Sequence, residues 1–111
     1  MPQKLITNCK KCGDSIKIKG AVCNSCRFLK RKYGITKKQR DQMLADQEGQ
    51  CFICLSDISF GNRGYSKSAA NVDHDHLTGE VRGILCGHCN SILGHAFDDP
   101  EVLRRAAEYL E

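Results

Sequence analysis

The chain has 111 residues, eight cysteines, no tryptophan and a net charge of +4. Residues 1–50 carry 12 Lys+Arg and 4 Asp+Glu (+8), whereas residues 51–111 carry 5 and 9 (−4). So short a chain with few aromatic residues has little to bury, and the eight cysteines suggest that cross-links or metal supply the missing stability. It has no apolar stretch long enough for a bilayer and no signal-peptide core, which argues against a membrane or secreted protein. A basic first half indicates a polyanionic partner, although a merely solvated basic face would look the same.

The N-terminal segment contains two Cys-x-x-Cys pairs, Cys9/Cys12 and Cys23/Cys26, separated by ten residues. Four thiolates complete the tetrahedral coordination of zinc and leave no open position. We predict that residues 1–32 form a basic four-cysteine zinc knuckle with a short hairpin at 15–19.

Two helical segments are predicted next. Residues 27–33 should form one or two turns ended by Gly34. Thr36 and Gln39 have the spacing of a capping box, which predicts a linking helix running to about Gln47, with Gly49 placed to end it.

The second half begins with a Gly/Ser/Asn-rich loop at 61–70. Strands are predicted at 70–74 and 80–85, joined by a turn at Gly79, and a helix from Gly87 should break near Gly94. A final helix at 101–110 should be capped by Asp99, with Pro100 in its first position.

The other two Cys-x-x-Cys pairs bracket this predicted hairpin, because 31 residues separate Cys51/Cys54 from Cys86/Cys89. Sequential pairing of the four cysteine pairs predicts two structural zinc sites. Interleaved pairing of the four cysteine pairs is possible, but each zinc site would then close a longer loop of the chain. A disulfide framework lacks an exported context, and a thioredoxin-like redox pair lacks a βαβ pattern.

The run Asp73-His74-Asp75-His76 is dense in titratable groups for a strand and is typical of a divalent-cation site. Extra zinc ligation by the histidines, or a solvated polar strand, would be the alternatives. Adjacent residues of a regular strand face opposite sides, so Asp73 and His74 can serve one site only where the strand ends or bulges. Asp75 could then turn away to pair with Arg82 or with a backbone donor.

These residues, together with Thr78-Gly79, the run from Val81 to Cys86 and the run from Cys89 to Gly94, resemble the recombination endonuclease VII family, which belongs to the His-Asn-His or ββα-metal nucleases. The segments 33–36 and 49–54 are also similar to that family. The resemblance covers roughly residues 33–95. It implies a small, zinc-stabilised α+β fold, with a ββα-metal nuclease domain at 33–111 behind the knuckle and the linking helix.

The resemblance also implies roles for individual residues. Asp73 and Asn90 would hold a catalytic divalent cation, Mg²⁺ or Mn²⁺. His74 would be the general base, and His76 a supporting phosphate contact or orienter. Zinc would be held by Cys51, Cys54, Cys86 and Cys89. The N-terminal knuckle and the short region after Gly94 depart from the family pattern, which puts junction resolution in doubt.

The predicted function is therefore a metal-dependent DNA endonuclease or nickase with two structural zinc ions. Its substrate would be double-stranded or branched DNA, and double-strand cleavage would require a homodimer. We expect a phage or prophage origin and a location in the host cytoplasm, with no membrane partner. A non-catalytic zinc module that binds nucleic acid is the alternative, and a protein–protein adaptor is a third hypothesis. The predicted phosphate contacts are Lys30, Arg31, Lys32, Lys37, Lys38, Arg40 and Arg82.

Overall fold

The computed structural model describes residues 7–8, 15–16, 24–61 and 66–111, and for residues 7–8, 15–16 and 24–25 it describes the backbone alone. It is a small α+β protein, as predicted. Its elements are β1 (Thr7–Asn8), β2 (Ser15–Ile16), α1 (Asn24–Tyr33), α2 (Lys37–Asp46), β3 (Ala70–His74), β4 (Val81–Cys86), α3 (Gly87–His95) and α4 (Pro100–Leu110).

The N-terminal strands differ from the predicted hairpin at 15–19. β2 pairs antiparallel with β1, with Thr7 opposite Ile16, so the partner strand lies upstream. Residues 17–19 lie outside the described residues, and so do Cys9, Cys12 and Cys23. Cys26 is buried on α1, and the four-cysteine knuckle itself stays a prediction.

Local signals account for the start and end of α2. The Thr36 hydroxyl accepts the backbone N–H of Gln39 at 3.1 Å, and the Gln39 side chain accepts the N–H of Thr36 at 2.8 Å. This is the predicted capping box, which satisfies two otherwise unpaired donors. The helix ends at Asp46, and Gly49 follows with a φ of +71° that a glycine adopts without strain.

The central hairpin of β3 and β4 contains an irregularity near the turn that joins its two strands. Asp73 lies opposite Gly83, whereas His74 lies opposite Val81, so Arg82 has no partner in the ladder. Such a bulge breaks the strict alternation of faces. The extra residue lies in β4, and β3 itself ends at His74, so Asp73 and His74 are the last two residues of their strand. β4 begins and ends one residue later than predicted.

The hairpin is anchored to α2 by Gln47, a contact that sequence patterns did not reveal. Its amide nitrogen donates to the backbone oxygen of Ile84 at 2.8 Å, and its amide oxygen accepts the N–H of Ile84 at 2.9 Å. Ile84 is fully buried in the core with Cys51, Ile58, Leu85, Cys86 and Cys89. The core therefore surrounds the cysteines.

The corner between helices α3 and α4 contains two residues with left-handed backbone. α3 continues through Gly94 to His95, past the predicted break, and Phe97 and Asp98 take positive φ values of 56° and 54° in the following turn.

The final helix α4 is confirmed. The Asp99 carboxylate accepts the N–H of Glu101 at 2.9 Å, and Pro100 lies in the first turn. α4 buries none of its residues. Among the described residues, no helix has the length and apolarity that crossing a bilayer requires.

Candidate functional site

Four cysteines from two distant segments converge beside the hairpin. The sulfurs of Cys51, Cys54, Cys86 and Cys89 all lie within 4.8 Å of one another. Tetrahedral zinc with ligands at about 2.3 Å requires sulfur–sulfur separations of about 3.8 Å, and Cys54 Sγ lies 3.7 Å from Cys86 Sγ. The predicted pairing of these four cysteines is confirmed, and the cluster could hold a zinc ion.

The surroundings of the sulfurs favour thiolates at two of the four positions. The Ser56 hydroxyl, 3.0 Å from the Cys54 sulfur, and the Ser56 backbone lower the pKa of Cys54 to about 6. Burial opposes ionisation of Cys51, but hydrogen bonds from the surrounding backbone outweigh it and lower the pKa of Cys51. Burial raises the pKa of Cys89. A cation would offset that burial, which is the chemistry expected of zinc ligands.

The Asp73 carboxylate is buried and bound in a two-point ion pair. Arg82 Nε donates to Asp73 Oδ2 at 2.8 Å, and Arg82 Nη2 donates to Asp73 Oδ1 at 3.0 Å. Arg82 therefore pairs with Asp73. A pair between Arg82 and Asp75, which was one of the two arrangements predicted for Asp75, does not form. Arg82 is the extra residue of the bulge in β4, and its side chain reaches the Asp73 carboxylate on the neighbouring strand β3.

Asp75 takes the second predicted arrangement, a backbone partner. Its Oδ1 accepts the N–H groups of Leu77 at 2.8 Å and Thr78 at 3.1 Å, which shapes the turn between the strands. The same two donors lower the pKa of Asp75. This carboxylate is thus occupied by turn formation.

The two histidines of the motif lie side by side. The ring centroids of His74 and His76 are 4.8 Å apart, and the centroid of the Tyr33 ring lies 5.2 Å from that of His74 in an edge contact. Tyr33 is the last residue of α1, so this helix reaches the hairpin end. No sequence pattern identified Tyr33, because a single aromatic residue at a helix end carries no spacing signal.

Asp98 is the second residue that the motif analysis missed. Its Oδ2 lies 2.7 Å from His76 Nδ1 and 3.4 Å from Arg82 Nη2. Its Oδ1 is buried, with no hydrogen-bond partner in the described part of the chain. The hydrogen bond with His76 and the charge of Arg82 lower the pKa of Asp98. No sequence pattern identified Asp98, because its partners His76 and Arg82 lie 22 and 16 residues away along the chain.

Asn90 lies in α3, one residue beyond Cys89, and lines a cavity of about 450 Å³. Tyr33 and Val72 form part of the same cavity wall. Tyr33 therefore contacts His74 and also lines this cavity.

The sequence-predicted residues thus fall into two groups at the hairpin end. One group is linked through Tyr33, which lines the cavity together with Asn90 and contacts the His74 ring. The other group is linked through Arg82, which pairs with Asp73 and also with Asp98, the partner of His76. The contact between the His74 and His76 rings joins the two groups.

The residues predicted to contact phosphate differ in their surroundings. Arg40 lies over the Phe60 ring at 3.8 Å and pairs with Asp41 at 2.9 Å, and Arg82 is held by two carboxylates. The others lie on exposed or half-exposed faces near the end of α1 and the start of α2, namely Lys30, Arg31, Lys32, Lys37 and Lys38.

Comparison with known proteins gives two similar phage proteins. The chain is 43% identical over 79 residues to the Gene 59 protein of Mycobacterium phage D29 and 44% identical over 79 residues to the Gene 59 protein of Mycobacterium phage L5. Each match covers 70% of this chain and 44% of the relative. The chain thus spans less than half the length of these relatives.

No solved structure matches the chain. The family model for recombination endonuclease VII, in contrast, matches residues 27–111, from α1 to the last residue. That range includes the four clustered cysteines, the bulged hairpin, α3 and α4, and it confirms the resemblance found in the sequence. The chain belongs to the recombination endonuclease VII family.

Proposed function

We propose that this chain is a metal-dependent DNA endonuclease or nickase that hydrolyses phosphodiester bonds at the hairpin end. The family match over residues 27–111 is the observation that carries the proposal, because it covers the whole hairpin and α3. The basic first half of the chain, at +8, agrees with a DNA substrate. A structural zinc ion at Cys51, Cys54, Cys86 and Cys89 would hold β4 and α3 in place. The N-terminal knuckle would bind a second zinc ion.

In this mechanism His74 is the general base. A neutral imidazole takes a proton from water near neutral pH, which is the usual range for histidine. The contacts with Tyr33 and His76 restrict the orientation of the His74 ring. The resulting hydroxide attacks the phosphorus, and the 3′ oxygen leaves.

Asp73 and Asn90 would hold the divalent cation, Mg²⁺ or Mn²⁺. Each oxygen of a carboxylate has two acceptor positions, so the ion pair with Arg82 leaves other positions on Asp73 for a cation. Carboxylate and amide oxygens are hard ligands, as such cations require. When bound, the cation would polarise the scissile phosphate and stabilise the leaving oxygen. Because Asn90 is neutral, the site would not repel an incoming phosphate.

Asp98 acts in the proposal as a positioning residue. A carboxylate 2.7 Å from Nδ1 of His76 favours a proton on that nitrogen. The bond to Asp98 thereby fixes the orientation of the His76 ring and leaves its other nitrogen, Nε2, for a contact with the substrate. The left-handed backbone at Phe97 and Asp98 is the kind of strain that occurs at functional sites.

The first experiment is nicking of supercoiled plasmid with Mg²⁺ or Mn²⁺, with EDTA as the negative control. We expect His74→Ala to lower cleavage by about two to four orders of magnitude, the usual contribution of a general base. Zinc content and DNA binding should stay unchanged. His95→Ala, at an exposed histidine in the same protein, is the matched control and should cleave normally. If His76→Ala abolishes cleavage while His74→Ala does not, the base has been assigned to the wrong histidine.

One observation favours the second candidate, a zinc module that binds nucleic acid without cutting it. Both Asp73 oxygens are already engaged by Arg82. Calorimetric titration of Mn²⁺ into the zinc-loaded protein separates the two functions. An endonuclease should show a weak binding event that Asp73→Asn and Asn90→Ala both reduce. A pure binder would show DNA affinity with no such event and no nicking at any Mn²⁺ concentration.

Each chain carries one copy of this proposed site. A monomer would therefore nick one strand, and cutting both strands would need two chains.

A further inference from the structure

The side chain of Arg82 is held by two carboxylates near the turn of the hairpin. Its Nε and Nη2 donate to the two oxygens of Asp73 at 2.8 and 3.0 Å, and Nη2 also lies 3.4 Å from Oδ2 of Asp98. The Asp73 side chain is 9% exposed, whereas that of Arg82 is 37% exposed. A ligand in solution can therefore reach the guanidinium, while the carboxylate that it neutralises lies inside the protein.

A divalent cation on Asp73 would have to share this carboxylate with Arg82. The carboxylate has enough acceptor positions for both, but its single negative charge would then face the +2 of the cation and the +1 of the guanidinium. Like charges a few ångströms apart oppose each other's binding, and they do so more strongly where little water screens them. Arg82 therefore lowers the affinity of Asp73 for a divalent cation.

Arg82 also faces a space in which a phosphate could replace Asp73 as its partner. Together with His76 it lines an open hollow of about 500 Å³. Two carboxylates line the same hollow, but Asp75 accepts two backbone N–H groups, and Asp98 lies 2.7 Å from His76. A guanidinium binds phosphate through the same two parallel donors with which it binds a carboxylate. A phosphate in the hollow would thus take over the donors that Asp73 holds.

His76 links this hollow to the proposed base, because its ring centroid lies 4.8 Å from that of His74. Asp73 and His74 are consecutive residues at the end of β3. A phosphate in contact with Arg82 would therefore lie near both the proposed cation ligand and the proposed base.

We propose that Arg82 couples the binding of the divalent cation to the binding of DNA. Arg82 pairs with Asp73 in the free protein and transfers its donors to a substrate phosphate when the cation binds at Asp73. Each ligand then removes an obstacle to the other, so the cation and DNA bind more tightly together than either does alone. The inference rests on the proposed endonuclease function, and it confines cation loading largely to the complex with DNA.

The test uses the full zinc-loaded chain carrying His74→Ala, so that DNA stays intact. Calorimetry gives the Mn²⁺ affinity with and without a fully paired duplex, and anisotropy of the labelled duplex gives the DNA affinity with and without Mn²⁺. We expect the duplex to raise the Mn²⁺ affinity by about 5- to 150-fold, the usual size of coupling between two sites, and Mn²⁺ to raise the DNA affinity by the same factor. Asp73→Asn gives the part of each effect that comes from Mn²⁺ bound to DNA or from ionic strength.

The sign of one effect separates this role from that of a purely structural ion pair. Without DNA, Arg82→Gln should bind Mn²⁺ more tightly by a similar factor, because the competitor is gone and a buried carboxylate is left without its counter-ion. The coupling factor should fall towards one. If Arg82 only held Asp73 in place, the same variant would bind Mn²⁺ more weakly.

Two further variants complete the test. Arg82→Lys keeps the charge but not the two-point contact, so its Mn²⁺ affinity without DNA should lie between those of the unmodified site and Arg82→Gln. It gives the same test of sign if Arg82→Gln does not fold, as judged by circular dichroism and zinc content. Arg104→Gln removes an exposed guanidinium that pairs with Glu101 at 3.3 Å on α4, and it should leave both affinities and their coupling unchanged.

The outcomes separate this inference from the proposed function. Weaker Mn²⁺ binding by Arg82→Gln, or equal Mn²⁺ affinity with and without DNA when Arg82 is present, would overturn the role of Arg82. Plasmid nicking by the unmodified chain would leave the endonuclease function in place in that case. Reciprocal coupling that Arg82→Gln removes, without any nicking by the unmodified chain, would instead overturn the endonuclease function and uphold the coupling.

Discussion

The cysteine-bracketed region and the C-terminal helix α4 are stabilised in opposite ways. Cys51 and Cys86 are fully buried, and they come from segments more than thirty residues apart along the chain. α4 buries none of its eleven residues and depends on its cap, its proline and two Arg–Glu pairs. The cysteine-bracketed region forms only when segments far apart in the sequence come together, whereas α4 is specified by residues within and next to the helix. Asp98 lies at the junction, where it connects the corner before α4 to His76 and Arg82.

Loss of one buried thiol should produce the largest difference between the two regions. Cys86→Ser would remove one ligand of the proposed zinc site at the centre of the core, and structural zinc contributes about 10–16 kcal/mol to folding in small zinc domains. We expect the β3–β4 amides to lose their protection from hydrogen exchange, while α4 amides keep the low protection of a short exposed helix. Leu77→Ser, at the 97% exposed tip of the turn between the strands, is the control and should leave both regions unchanged. Equal loss of protection in α4 would show that this helix depends on the core.

Changes at the junction should affect activity more than folding. Asp98→Ala removes the partner of His76 Nδ1, and Asp98→Asn removes its charge while leaving an acceptor. Loss of a carboxylate that orients a metal-ligating histidine costs about 10- to 100-fold, and we expect a loss of similar size for the orientation of His76. We expect the larger loss of cleavage in Asp98→Ala. Nitrogen NMR of His76 should show a mixture of tautomers in that variant, a change that a purely structural role would not produce.

Glu101→Gln, which removes an exposed carboxylate of α4, is the matched control for the loss of charge. Its cleavage rate and the His76 spectrum should be those of the unmodified chain. An unaltered His76 tautomer in Asp98→Ala would contradict the positioning role.

Acid should weaken the junction in a defined direction. Because the hydrogen bond with His76 and the charge of Arg82 lower the pKa of Asp98 below its ordinary value of 3.8, this group contributes stability above its unfolded pKa. That contribution is lost as the pH falls through the lower, folded pKa. Unfolding midpoints measured from about pH 5 down to about pH 2.5 should therefore fall less steeply for Asp98→Asn than for the unmodified chain. Parallel curves would show that Asp98 contributes nothing to acid stability.

The smallest effect is expected at the cap of α4. Asp99→Ala removes the acceptor for the Glu101 N–H, and loss of such a cap costs about 1 kcal/mol of helix stability. Helical content measured by circular dichroism should decrease slightly, and the zinc content should not change. A large loss of zinc would mean that the two regions are coupled.

Sequence patterns predicted the parts of this molecule that local or covalent rules determine. The capping box at Thr36, the cap at Asp99 and the hairpin were predictable because each depends on residues close in sequence. The convergence of the four cysteines followed from thiol chemistry and spacing. The contacts of Asp98 and Gln47 were not predictable, since they depend on where a corner and a helix end lie in space.

The pairing of Arg82 shows the same limit. Its spacing from Asp73 and from Asp75 did not decide between them, because a bulge of one residue determines which carboxylate it meets. The roles proposed for Asp73, His74, His76 and Asn90 come from family resemblance and chemistry. They stay predictions for the experiments above.

The turn between the strands has a consequence for dividing this protein in two. Leu77 at its tip is 97% exposed, and a cut there would leave Cys51 and Cys54 on one fragment and Cys86 and Cys89 on the other. Asp73 and His74 would likewise be separated from Asn90. Neither fragment would hold a complete metal site, so zinc would become the agent that reassembles them. The hairpin tip is therefore a natural position for a split version of the protein whose reconstitution is controlled by zinc concentration.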